Sequence, residues 1–110
     1  MEVGPRGNLF IADTDNERVQ KLDKDANPMK IIKGPDDRVH GTFHPRAVAV
    51  NHKTGDIYAA AAYSLRIDRF KADGTFIKSF AQGERDGPVF NSAKNVVIDP
   101  KTGVVYVSDW

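Results

Sequence analysis

The sequence predicts an all-β chain built of four-stranded antiparallel units. Three observations lead there: a glycine-marked pattern that recurs every 48 residues, short apolar runs split by turn residues, and no stretch with helical periodicity. The recurring segments are Gly7-Asn8-Leu9-Phe10-Ile11-Ala12-Asp13, Gly55-Asp56-Ile57-Tyr58-Ala59-Ala60-Ala61 and Gly103-Val104-Val105-Tyr106-Val107-Ser108-Asp109. Arg18 and Arg66 keep the same step, as do Val19 and Ile67, and Leu22 and Phe70. Upstream, Ala47–Thr54 aligns with Asn95–Thr102, and Val3–Gly7 fits the same pattern with one residue fewer. The units run over about 1–45, about 46–93 and, incompletely, about 94–110.

The middle unit shows each element in turn. Ala47–Val50 is a first, mostly apolar strand, and Lys53-Thr54-Gly55 is a turn in which glycine supplies positive φ. Asp56–Ala61 is a second strand of small residues, and Leu65–Phe70 is a third, with Leu65, Ile67 and Arg69 on one face. Ala72-Asp73-Gly74 is a hairpin turn of the Asp-Gly kind, and Thr75–Phe80 is a fourth strand. Four antiparallel strands per repeat describe the blade of a β-propeller. The near-continuous apolar character of the first two strands fits inner strands packed on both faces. The first unit lacks most of its first strand in this alignment, and the third stops after its second.

Composition limits the function classes. Apolar residues make up 40% and charged residues 28%, as in a globular, soluble domain. Sixteen Lys and Arg against 15 Asp and Glu give a net charge of +1, which provides no overall electrostatic footprint for nucleic acid or an anionic membrane. No apolar run approaches the roughly 20 residues of a membrane-spanning helix. Without cysteine there is no disulfide or thiolate metal site. The compartment stays open.

Pro45-Arg46-Ala47-Val48-Ala49-Val50 followed by Gly55-Asp56-Ile57-Tyr58, and above all Gly7–Leu22 with Asp13, Asn16, Arg18 and Val19 in an Asp-x-x-Asn-x-Arg-Val core, resemble the NHL repeat. Gly83–Phe90 is similar to the segment that leads into the next blade of that family. The resemblance covers the whole chain and implies a ring, commonly of six blades, of which about two and a half are present here. Raw blade ends expose apolar faces and strand edges that favour self-association, so the expectation is a segment of a longer propeller, with several copies assembling to close a ring as the alternative.

The candidate binding residues are Asp13, Asp15, Asn16 and Asp109, polar groups where second strands meet a propeller face. The plainer expectation for Asp13 and Asn16 is that they stabilise the turn while Arg18 pairs with a nearby carboxylate. The middle repeat has Ala61 and Ser64 in their places but keeps Arg66. His40, His44 and His52, with Asp36 and Asp37 near, raise a metal hypothesis, but the Gly41 and Pro45 of that segment mark a solvated connector. The charged loops Asp36-Asp37-Arg38 and Glu84-Arg85-Asp86-Gly87 match no known ion-binding loop. Ser64, Ser79, Ser92 and Ser108 stand in no nucleophile elbow, so no catalytic residue and no metal ligand is assigned.

The favoured function is a non-catalytic binding scaffold for a protein or peptide ligand, without a cofactor and without a membrane. One alternative is a fragment of a metal-dependent propeller hydrolase or lyase, gluconolactonase-like or amidating-lyase-like, which would carry calcium or zinc. A second is an RNA-binding NHL propeller, disfavoured by the balanced charge.

Overall fold

The 48-residue period of the sequence becomes a repeat of sheets in the computed structural model, which describes residues 2–34, 43–61, 66–80 and 93–109. The first sheet contains β1 (Glu2–Val3), β2 (Leu9–Asp13), β3 (Arg18–Leu22) and β4 (Pro28–Ile32), in that order. The second contains β5 (Pro45–Val50), β6 (Ile57–Ala61), β7 (Ile67–Phe70) and β8 (Phe76–Phe80). β9 (Ala93–Ile98) and β10 (Val105–Asp109) form a third, two-stranded sheet. All pairings are antiparallel between sequence neighbours, as in a meander. The expected first strand of unit one, largely missing by alignment, exists as two residues: Glu2 pairs with Phe10 and Val3 with Leu9.

Turn chemistry sets the strand boundaries. Gly7, Gly55 and Gly103 have φ of 78°, 80° and 76°, a region that costs other residues steric strain, and each closes the turn between first and second strands. Gly7 N–H donates to the Gly4 carbonyl, Gly55 N–H to Asn51 and Gly103 N–H to Asp99. The third-to-fourth strand turns match as well. Asp23 N–H donates to the Asn27 carbonyl and Lys71 N–H to the Thr75 carbonyl, while Ala26 and Gly74 take positive φ at the equivalent place. The Asp23 carboxylate also accepts from the Asp25 and Asn27 amides, and Asp73 accepts from the Thr75 amide. Such local bonds fix a tight turn without help from the core.

The core lies between the sheets. Every residue of β5 from Ala47 to Val50, and Ile57 to Ala60 of β6, is buried, so these inner strands pack on both faces. One cluster joins Phe10, Val19 and Ile32 of the first sheet to Val48, Val50, Ile57, Ala59 and Phe70 of the second. A second joins Ala47, Ala49, Tyr58, Ala60 and Ile67 to Val96 of the third, with Ile98 and Val105 packed against it. One side of each sheet, carrying Phe10 or Tyr58, therefore meets the other side of the next, carrying Val48, Val50 and Ile57 or their counterparts Val96, Ile98 and Val105. Tyr106 repeats Phe10 and Tyr58 and is 59% exposed, against 3% and 7%; Val97, which repeats the buried Ala49, is 54% exposed.

Candidate functional site

The candidate residues sit at the corner where β2 turns into β3. Asp13 ends β2, Thr14–Asn16 form one turn of 3-10 helix, and Glu17 leaves it at φ 56° with its N–H donating to the Thr14 carbonyl. This reverses the chain so that Asp13 pairs with Arg18 across the strands. The half-buried Asp13 carboxylate accepts two bonds from the Asn16 side-chain amide, at 3.1 and 3.0 Å, and one from Arg18 Nε at 3.0 Å. Those donors, Asn16 first and Arg18 next, hold the Asp13 carboxyl below the ordinary value of 3.8. With its amide turned so that the oxygen faces Arg18, Gln20 accepts from Nε at 3.1 Å and Nη2 at 2.5 Å. Thr14 Oγ1 donates to the Pro45 carbonyl at 2.7 Å and so ties the corner to the next sheet. Asp15 and Asn16 are exposed beyond this knot. Asp109 occupies the equivalent place at the end of β10, opposite Ala93.

The middle repeat, which has Ala61 where Asp13 stands, solves the same problem differently. Arg66 is fully buried and pairs with Asp68, Nη2 to Oδ2 at 3.0 Å. Asp68 repeats the position of Gln20. Ser79 Oγ donates to the other Asp68 oxygen, and the guanidinium carbon of Arg66 lies 5.7 Å from the centre of the Phe43 ring. Phe43 in turn meets Phe70 edge to face at 6.1 Å. Gly34 backs the pair so closely that a Cβ there would stand 2.7 Å from Asp68 Oδ2 and 2.8 Å from the Phe43 ring. Only the comparison of positions 13 with 61 and 20 with 68 could have revealed this buried pair from sequence, and neither residue pair stands out alone.

The two described histidines do not converge. His44 precedes β5 and His52 follows it, so the two stand at opposite ends of one strand. His40, Asp36, Asp37, Arg38, Ser64, Leu65, Ser92 and the segment 83–90 lie outside the described residues. Among the described residues, no group of three or more His, Asp or Glu is placed to hold a metal ion.

Comparison with known proteins places this geometry. Hydrazine synthase of Kuenenia stuttgartiensis superposes with a TM-score of 0.77 at 19% identity, covering 98% of this chain and 28% of that one. The Neurospora crassa Pan2 WD40 domain superposes with a TM-score of 0.53 at 14% identity, covering 91% of this chain and 34% of that one. The fold is that of β-propeller blades. At this identity the likeness extends to the fold alone, and the chain spans about a third or less of the length of these two structures. No protein-family model matches the sequence, and no curated protein matches it.

Proposed function

We propose that the chain is a segment of an NHL-type propeller that serves as a non-catalytic binding scaffold for a protein or peptide. The observation that carries this is the corner from Asp13 to Arg18. The Asp-x-x-Asn-x-Arg core is consumed in its own hydrogen bonds, which fix the loop and leave Asp15 and the outer edge of Asn16 facing solvent. A rigid scaffold carrying exposed polar loop residues meets the requirement for recognition at low ordering cost. The exposed Tyr106 and Val97, whose counterparts are buried against a following sheet, support a larger propeller around this segment.

Peptides selected from a random library on the full chain test the proposal. The expected outcome is that bound peptide shifts the amide resonances of Asp15 and Asn16 and that Asp15→Lys removes binding. Selected peptides that bind Asp15→Lys as well as the native chain would overturn it.

A further inference from the structure

A cleft of ≈ 470 Å³ lies between the first and second sheets, on the side of the β1–β2 and β5–β6 turns and so opposite the Asp13 corner. Its lining includes Arg6, Asn8, Lys21, His52 and Lys53 and, among the described residues, no acidic one. Phe10, Met29 and Val50 supply apolar wall. That volume and mixture fall within the range of small-ligand sites.

The internal repeat shows what this cleft lacks. In the second sheet Arg69 lies across from Tyr58, with its guanidinium carbon 5.8 Å from the ring centre. Asp56 neutralises it: Arg69 Nε and Nη2 donate to Asp56 Oδ2 at 3.0 and 2.5 Å, and this bond raises the Arg69 pKa. In the first sheet Lys21 lies across from Phe10, with Nζ likewise 5.8 Å from the ring centre. The residue in the place of Asp56 is Asn8. Lys21 thus keeps the aromatic partner and loses the carboxylate, and among the described residues its ammonium reaches only to the Ala72 carbonyl at 3.5 Å. A half-buried cation held over a ring, in a cleft that adds Arg6 and His52, is suited to an anion.

We infer that this cleft binds the carboxylate of a small organic acid, its oxygens standing beside Lys21 where Asp56 stands beside Arg69, and its apolar body against Phe10, Met29 and Val50. The inference goes beyond the scaffold proposal and does not rest on it, because the two sites lie on opposite faces.

The test is a titration of the full, isotope-labelled chain with hexanoate at low salt, followed by NMR. Saturable shifts at Phe10, Lys21 and Val50 are expected. Asn8→Asp supplies the missing carboxylate internally and should weaken hexanoate about tenfold or more, as should Lys21→Met. Asp56→Asn removes the internal partner of Arg69 and should create a second set of shifts at Tyr58 and Arg69. Inorganic phosphate, run in parallel, should bind more weakly than hexanoate because it leaves the apolar wall empty. Absence of saturable shifts, equal binding by Asn8→Asp and the native chain, or tighter binding of phosphate than of hexanoate would overturn the inference.

Discussion

Asp68 gives Arg66 the carboxylate that Ala61 cannot. In the first blade the arginine at this position takes its carboxylate from the end of the second strand, Asp13; in the second it takes it from the strand that begins just after it, two residues on. Each arginine keeps one carboxylate while the acid moves between positions. The move changes the environment, because the Asp13 pair is partly exposed and the Arg66–Asp68 pair is buried to within 1%. Removing one partner of a buried pair strands the other charge, at a cost of about 3–5 kcal/mol. Asp68→Ala is therefore expected to lower stability by about that amount in urea unfolding. The double substitution Arg66→Met with Asp68→Leu, which removes both charges, should recover most of the loss.

Turn geometry gives a prediction of opposite sign. Ala26 holds φ 66° at the place where Gly74 holds φ 91°. An L-residue in this region is strained by about 1–2 kcal/mol. Ala26→Gly should release part of that strain, offset by the larger unfolded-state entropy of glycine, for a net gain of about 0.5–1 kcal/mol. Gly74→Ala should destabilise, since its Cβ would also approach Lys30 Cε to 3.1 Å and Ile32 Cγ1 to 3.2 Å. Thermal unfolding of the two variants should move the midpoint in opposite directions.

Acid should weaken the fold through its turns. Asp13, Asp23, Asp73 and Asp99 all titrate below their ordinary 3.8. The leading causes are the Asn16 side chain for Asp13, the Asn27 amide for Asp23, Thr75 for Asp73 and the Lys101 amide for Asp99. A carboxylate whose folded pKa is depressed contributes its stability above the unfolded value and loses it as pH falls through the folded one. The urea midpoint should therefore hold steady above 3.8 and its environs and decline below. Asp99→Asn keeps a turn-forming side chain but does not titrate, so its decline should be shallower than that of the native chain.

The parts of this architecture that were legible in the sequence are those governed by local rules. Gly55 and Tyr58 declared a turn and an inner strand, and the four strands of the second sheet stand within two residues of their expected starts. The Arg18 partnership was also expected from the motif. Asp68 was not, because an acidic residue in Ile-Asp-Arg-Phe reads as the solvent-facing member of an alternating strand. Burial from both sides by neighbouring elements, including Phe43 and Gly34 from a connector, overrides that alternation. The cleft beside Lys21 was equally hidden, since it depends on how two sheets meet and on the absence of one carboxylate at position 8.

The aromatic at the head of each second strand supports the last prediction. Phe10 and Tyr58 are buried by the sheet that follows, whereas Tyr106, with Val97 and Val104 beside it, faces solvent. The same side chain type is thus part of the core in two sheets and exposed in the third. Tyr58→Ser should cost about 3 kcal/mol or more of stability, by analogy with other large-to-small core changes. Tyr106→Lys combined with Val97→Lys should leave the unfolding midpoint near that of the native chain. It should lower the concentration-dependent mass measured by light scattering, because two charges on an apolar patch oppose both stacking of a further blade and pairing between copies. If the double variant associates as strongly as the native chain, this face is not the one through which blades are added.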